Sequence, residues 1–181
     1  MINQYLSKMK KIFYLCLLLA CVACANKSDN GSTQDGASRE FKEYGFSITA
    51  PCVLEEESAH AMGNSAYYAG IENPDDPEKA TGYQVAVKKL QRGSKGLKDH
   101  SEEEQNKMMN QMKASGFTNV EKVEFSDNKY PGLAGDKNQD GSMLRAVMFN
   151  KDGNIIILTV QSKTDLEQKF EQFTKSFKVI E

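Results

Sequence analysis

The chain has 181 residues, of which 39% are hydrophobic, and a formal net charge of −2; this length fits one folded domain preceded by a leader. The leader carries three lysines and no acidic residue (Lys8, Lys10 and Lys11), so the rest of the chain has a charge of −5 by subtraction. A mildly acidic domain lacks the basic surface that attracts nucleic acid or anionic lipid, so the composition excludes both as direct electrostatic partners.

The leader combines a basic start with an apolar run at 12–23, IFYLCLLLACVA. This run is too short to span a bilayer, which takes roughly 20 apolar residues. A basic region, a short apolar region and small residues near its end indicate an export signal. The alternatives are an ordinary secretory leader with incidental cysteines and an amino-terminal membrane helix.

The segment LLAC at 18–21 resembles the lipobox of bacterial lipoprotein precursors. The resemblance implies that Cys21 receives diacylglyceryl, that a signal peptidase cuts before it, and that lipid holds the protein on a membrane. Two or more acyl chains give stable anchoring. Cys24 is the alternative lipidated residue, because the apolar region before it has a more usual length, although a cysteine replaces the usual leucine. By similarity to Gram-negative sorting, Val22 after Cys21 implies the outer membrane.

Residues 26–39 (NKSDNGSTQDGASR) contain no aliphatic or aromatic side chain larger than alanine. Such a segment cannot bury enough surface to offset the entropy of ordering it. It predicts a flexible tether with a reach of roughly 20 Å. The predicted organisation is a signal peptide at 1–20, the lipidated cysteine and tether at 21–39, and a single domain at 40–181.

Apolar runs and period-two alternation predict several strands in the first half of the domain. They are one or two short strands within 41–48, then strands at 52–57, 65–72 and 83–90. Two polar segments separate or follow them: a turn-rich acidic loop at 73–78 (NPDDPE) and a connection at 91–99.

The second half contains two predicted helices. Ser101 with Glu104 forms a capping box at the start of the first, and Thr164 with Glu167 does the same for the second. Further strands are predicted at 120–125, 143–149, 155–160 and 177–180. The Asp-Gly pair at 152–153 predicts a hairpin, because these residues accept the positive φ angles of a type I′ turn.

Strands thus dominate, and two helices interrupt them, which predicts an α+β fold with a largely antiparallel sheet and two helices packed on it. The order of elements resembles the PsbP-like α/β/α sandwich. The resemblance is carried by the opening YGFSITAP at 44–51, the middle helix, GLAG at 132–135, the late hairpin and the final FTKSFK at 173–178. It implies a binding or assembly protein.

One motif suggests a metal. Asp136, Asn138 and Asp140, followed by Gly141, match the first half of a calcium loop, D-x-N-x-D-G. The position that should supply a bidentate glutamate is Val147. The competing interpretation is a polar turn made by Asp140 and Gly141. The acidic loop could supply further ligands, although a solvated loop is the simpler interpretation.

The remaining candidates for chemistry are few. His60 and His100 lack the paired spacing of zinc ligands, and both are expected at the surface. Cys52 has three interpretations: a small buried apolar residue, a nucleophile beside a histidine, or a disulfide partner of Cys24. The three methionines of the first helix form a stripe that predicts a core contact rather than an adaptable binding face.

No phosphate-binding loop, nucleophile elbow or metalloprotease motif occurs in the sequence, and no cofactor is predicted. The leading hypothesis is a lipid-anchored binding or assembly module that contacts another protein of the cell envelope. The alternatives are an envelope enzyme whose site no motif reveals, and a calcium-binding adhesive or sensor domain of low affinity.

Overall fold

The structure is a computed structural model that describes residues 36–57, 65–90, 96–126 and 129–180. Two short 3-10 helices, Lys42–Tyr44 and Leu97–Asp99, accompany the main elements. In chain order these are β1 (Ala37–Phe41), β2 (Phe46–Ala50), β3 (Glu55–Glu56), β4 (Ser65–Glu72), β5 (Thr81–Lys89), α1 (Glu102–Ala114), β6 (Thr118–Phe125), β7 (Tyr130–Gln139), β8 (Ser142–Lys151), β9 (Asn154–Ser162), α2 (Leu166–Lys175) and β10 (Lys178–Val179). No helix in these segments is long and apolar enough to cross a membrane.

The strands form two antiparallel sheets. The large sheet has the order β3-β4-β5-β9-β8-β7-β6, and the small sheet has the order β1-β2-β10. The predicted α+β class, with an antiparallel sheet and two helices, is confirmed. The division into two sheets was not foreseen. It arises because β10, near the end of the chain, pairs with β2 near its beginning.

The main core lies between the large sheet, the small sheet and α2. Alternate residues of β5 point into it, and Tyr83, Val85 and Val87 are at most 1% exposed. Phe177 joins the layers, since its ring lies 5.2 Å from that of Phe46 on β2 and 5.4 Å from that of Phe149 on β8. Burying side chains of this size stabilises the fold by about 1.5–3 kcal/mol each.

The helix α1 packs against the β6–β7 part of the large sheet. Met108 and Met112 are buried there, which confirms that the methionine stripe contacts the core. A Cβ added to Gly135 on β7 would lie 3.3–3.4 Å from Phe117, Val120 and Met112. The glycine therefore lets the helix and the residues after it approach the sheet closely.

One turn and one helix cap that the sequence predicts are present in the structure. Asp152 and Gly153 have φ angles of 48° and 75° between the paired ends of β8 and β9, as a type I′ turn requires. At the start of α1, the Ser101 backbone N–H donates to Glu104 Oε2 at 2.8 Å, and the Glu104 N–H donates to Ser101 Oγ at 3.2 Å. The predicted hairpin and the first capping box are confirmed.

Three local predictions need correction. The first strand begins at Ala37, inside the predicted tether and before the expected boundary at residue 40, because its backbone pairs with β2. The strand predicted at 52–57 is reduced to two residues. Thr164 does not cap α2: it bonds to the Ser162 hydroxyl in a turn, and Asp165 precedes the helix with a left-handed φ of 53° and no side-chain cap.

The chain crosses from the small sheet to the large one through residues 51–54, and this crossing positions the surface described below. A Cβ added to Gly70 on β4 would lie 2.3 Å from the Val53 carbonyl oxygen and 2.8 Å from Cys52 Sγ. Leu54 is 2% exposed, and its carbonyl accepts a hydrogen bond from the Arg39 guanidinium. The crossing is thus held against β4 at consecutive residues.

We predict that Gly70→Ala destabilises the domain by about 2–3 kcal/mol, because the added carbon overlaps the backbone of the crossing. Gly82 on β5 is the matched control, since the nearest atom to its added Cβ is 4.0 Å away. Gly82→Ala should be neutral or stabilise by up to about 1 kcal/mol. Urea denaturation followed by circular dichroism measures both, and equal stability of the two variants would contradict the tight crossing.

Candidate functional site

The thiol of Cys52 is free and half-buried beside β4. Burial, with a smaller contribution from the negative charge of Glu72, raises the pKa of Cys52 to about 12. A nucleophilic cysteine needs the opposite shift, toward the thiolate. The environment therefore favours the interpretation of Cys52 as a buried apolar residue over that of a nucleophile. Cys24, the other half of the disulfide considered from the sequence, lies outside the described residues.

The two histidines do not meet Cys52 in the described structure. His60 lies outside the described residues. His100 precedes α1 and is partly buried, with Nδ1 3.4 Å from Glu104 Oε2 and no hydrogen bond at that nitrogen. Its position at the start of a helix explains its carboxylate neighbour without any catalytic role.

The predicted calcium ligands lie along a hairpin rather than around a common point. Asp140 and Gly141 form the turn between β7 and β8, with φ angles of 50° and 79°. Asn138 is exposed on β7. Asp136 is buried, accepts a hydrogen bond from Asn119 Nδ2 at 2.9 Å and lies 3.6 Å from Arg145 Nε. This geometry favours the turn interpretation.

The charge of Arg145 further disfavours a cation at Asp136. Its guanidinium also lies 3.5 Å from Glu121 and 4.0 Å from Glu167, and it stands 5.6 Å from the centre of the Phe170 ring. Within the described segments, no group of three or more His, Cys, Asp or Glu side chains is arranged to hold a metal ion.

A serine–lysine pair that no sequence motif indicates resembles a nucleophile with its base. Lys169 Nζ on α2 donates to Ser162 Oγ at 3.1 Å and to Thr81 Oγ1 at 2.9 Å. Ser162 and Thr81 are only 2% and 0% exposed, and their hydroxyls donate to the carbonyls of Thr164 and Lys79. A substrate could not reach them. We assign this cluster to fastening the start of α2 to the sheet.

The feature that distinguishes the surface is an acidic edge of the large sheet. We define it as residues 51–57, which contain the crossing and β3, together with residues 71–79, which contain the end of β4 and the loop to β5. The two segments adjoin, because Glu55 pairs with Ala69 and the Val53 carbonyl lies against Gly70.

The acidic edge holds most of the domain's net charge. Its charged residues are Glu55, Glu56, Glu57, Glu72, Asp75, Asp76, Glu78 and Lys79, a net of −6. The bases that approach from other elements include Lys163, which pairs with Glu78 at 2.7 Å, and Arg39, which lies against the Tyr68 ring. Counting both leaves −4, against −5 for the whole chain after the leader.

Two exposed aliphatic side chains lie within this edge. Val53 is 61% exposed and Ile71 is 52% exposed. The other exposed large hydrophobic residues in the described segments are less exposed, Met143 at 36% and Val179 at 47%. Apolar side chains within a charged rim also occur at protein interfaces.

The sequence alone predicts that the acidic loop at 73–78 is a solvated loop. Within it, Asp76 accepts from the backbone N–H of Glu78 at 3.1 Å and pairs with Lys79 at 3.3 Å. The sequence does not indicate that this loop lies beside the crossing and β3. The signal available was the second acidic run at 55–57, and only the pairing of β3 with β4 brings the two together.

We predict that folded Cys52 is alkylated slowly. A pKa raised from 9.0 to about 12 lowers the thiolate fraction at pH 8 about a thousandfold. Under reducing conditions, iodoacetamide should modify Cys52 far more slowly in the folded protein than in urea, as measured by mass spectrometry of its peptide. Because the pKa is raised, the stability this thiol contributes is complete below pH 9 and is lost as pH rises toward 12. Equal rates in both states would contradict this environment.

No protein-family model matches the sequence, and no curated protein matches it. Among solved structures, the chain is similar to cyanobacterial PsbP (CyanoP) from Synechocystis sp. PCC 6803, with a TM-score of 0.56 and 12% identity over 85% of this chain and 98% of that one. It is also similar to PA94, a protein of unknown function from Pseudomonas aeruginosa, at 11% identity over 75% of this chain and 88% of that one. The TM-score for PA94 is 0.43. The first likeness establishes a PsbP-like fold.

Proposed function

We propose that this protein is a lipid-anchored binding or assembly module of the cell envelope. The lipobox-like segment at 18–21 supports export and acylation of Cys21, with Cys24 as the alternative site. The charge of the domain supports lipid as the means of attachment, because an acidic domain gains nothing from an anionic headgroup surface. Placement in the outer membrane rests on Val22 following Cys21.

The observation that carries the binding function is the acidic edge with its two exposed aliphatic residues. The edge also lies where the tether meets the fold. Gly36 precedes β1, and an added Cβ on it would lie 2.8 Å from the Ala50 carbonyl oxygen, one residue before the crossing begins.

The chemistry of the described groups favours binding over catalysis. Cys52 is held in its protonated form, and the hydroxyls next to Lys169 are buried and bonded to carbonyls. The calcium alternative has weaker support, because Asp136 faces an arginine and Asp140 forms a tight turn.

Reversible crosslinking of intact envelopes, followed by isolation of the tagged protein, tests this proposal. We expect one envelope protein to be recovered repeatedly in near-stoichiometric yield. The control is Cys21→Ser combined with Cys24→Ser, which removes both acylation sites and should lower the recovery. Mass spectrometry of the mature amino-terminal peptide identifies the acylated cysteine. Repeated failure to enrich any protein above the control would contradict an assembly role.

A further inference from the structure

We infer that the acidic edge docks a basic protein surface that carries apolar side chains, with Val53 and Ile71 as the apolar contacts of the edge. This inference rests on the proposed function and specifies the chemistry of the partner. It is argued from the rigidity of the edge, from its charge, and from the position of the two aliphatic residues.

The crossing presents Val53 on a fixed backbone. Its neighbours Cys52 and Leu54 are half-buried and buried, and its carbonyl oxygen lies against Gly70. Arg39 binds the Leu54 carbonyl and stacks over the Tyr68 ring, with its central carbon 4.3 Å from the ring centre. Little conformational entropy remains to be lost when a partner covers Val53, and such preorganisation favours binding.

Ile71 follows Gly70 directly on β4, so its side chain points to the face of the strand opposite to the one that the crossing covers. A partner that wraps this edge removes both aliphatic side chains from water, which favours association. Apolar contacts at the centre with a charged rim are the usual arrangement of a protein interface. The exposed Glu55 and Asp75 belong to this rim.

The negative charge of the acidic edge determines which kind of partner can bind it. An anionic lipid surface would be repelled, since the formal charge of the edge is −6, and −4 when Lys163 and Arg39 are counted with it. A second copy of this chain, related by a two-fold axis through the edge, would bring two such surfaces together and is disfavoured for the same reason. A basic protein surface gains from the same charge, both in encounter rate and in register.

Site-specific photo-crosslinking of the full-length, membrane-anchored protein tests this inference. Benzoylphenylalanine is placed at Val53 or Ile71, and at Val179 or Met143 as matched controls, because all four residues are exposed hydrophobics. We expect one protein adduct from the first two positions and not from the controls. The partner peptide in that adduct, sequenced by mass spectrometry, should be rich in lysine and arginine.

Charge reversal provides the second arm. Glu55 on β3 and Glu124 on β6 are exposed glutamates on the two opposite edges of the same sheet. Glu55→Lys should lower the adduct from position 71 by roughly three- to tenfold, and Glu124→Lys should leave it unchanged. Raising the salt concentration should lower the adduct in the unsubstituted protein as well.

Four outcomes overturn the inference: adducts to phospholipid, adducts to a second copy of the chain, a partner peptide without basic residues, and equal yields from Glu55→Lys and Glu124→Lys. If the isolation experiment recovers a partner while positions 53 and 71 give no adduct, the assembly role stands and the docking surface lies elsewhere. If no partner is recovered at all, the proposed function itself fails.

Discussion

The fold depends on covering one apolar face of the large sheet. Its central strands place a continuous set of fully buried side chains on this face: Tyr83, Val85, Val87, Phe149, Ile156, Leu158 and Val160. A single helix, α2, is too narrow to cover such a surface. The rest of the cover comes from the small sheet, whose Phe46 and Ile48 are wholly buried. Burial of apolar surface is the dominant favourable term in folding, so the two sheets cannot be separated without losing most of the core.

This cover determines where the candidate binding surface lies. The small sheet is made from the beginning and the end of the domain, so the chain must leave it once to build the large sheet. It does so between Ala50 and Glu55, and the crossing brings Val53 and the acidic residues after it to the edge of β4. The surface is thus a product of the topology, and its rigidity follows from the contact with Gly70.

Buried charged side chains also link separate elements of the fold. Lys151 is 3% exposed, and its ammonium group donates to the Tyr44 carbonyl and pairs with Asp152. It therefore joins the β1–β2 connection to the β8–β9 hairpin. Lys169 does the equivalent for the start of α2. Both lysines thus hold separate elements of the domain together.

The sequence predicted features that short-range forces decide. The Asp-Gly turn at 152–153, the box made by Ser101 and Glu104, and the buried methionines of α1 follow from local geometry and periodicity. The predictions from the sequence were wrong where contacts between distant parts of the chain determine the structure. Thr164 was expected to cap α2, but the bonds between Ser162, Thr81 and Lys169 fix that region instead.

The candidate site was only half visible for the same reason. Its two acidic segments are separated in the chain and form one surface only when β3 pairs with β4. The exposure of Val53 could not be predicted either, because it depends on how the crossing passes Gly70. Neighbouring Cys52 and Leu54 are equally apolar in the sequence, yet both turn inward.

Carboxylate footprinting in the envelope tests the central claim, that the acidic edge is covered by a partner, most directly. Carbodiimide labelling of intact envelopes is compared, glutamate by glutamate, with labelling of the purified protein. The account predicts that Glu55 and Glu56 are labelled several-fold less in the envelope, while the exposed Glu124 on the opposite edge is labelled equally in both. Equal labelling of all three glutamates in both settings would contradict it.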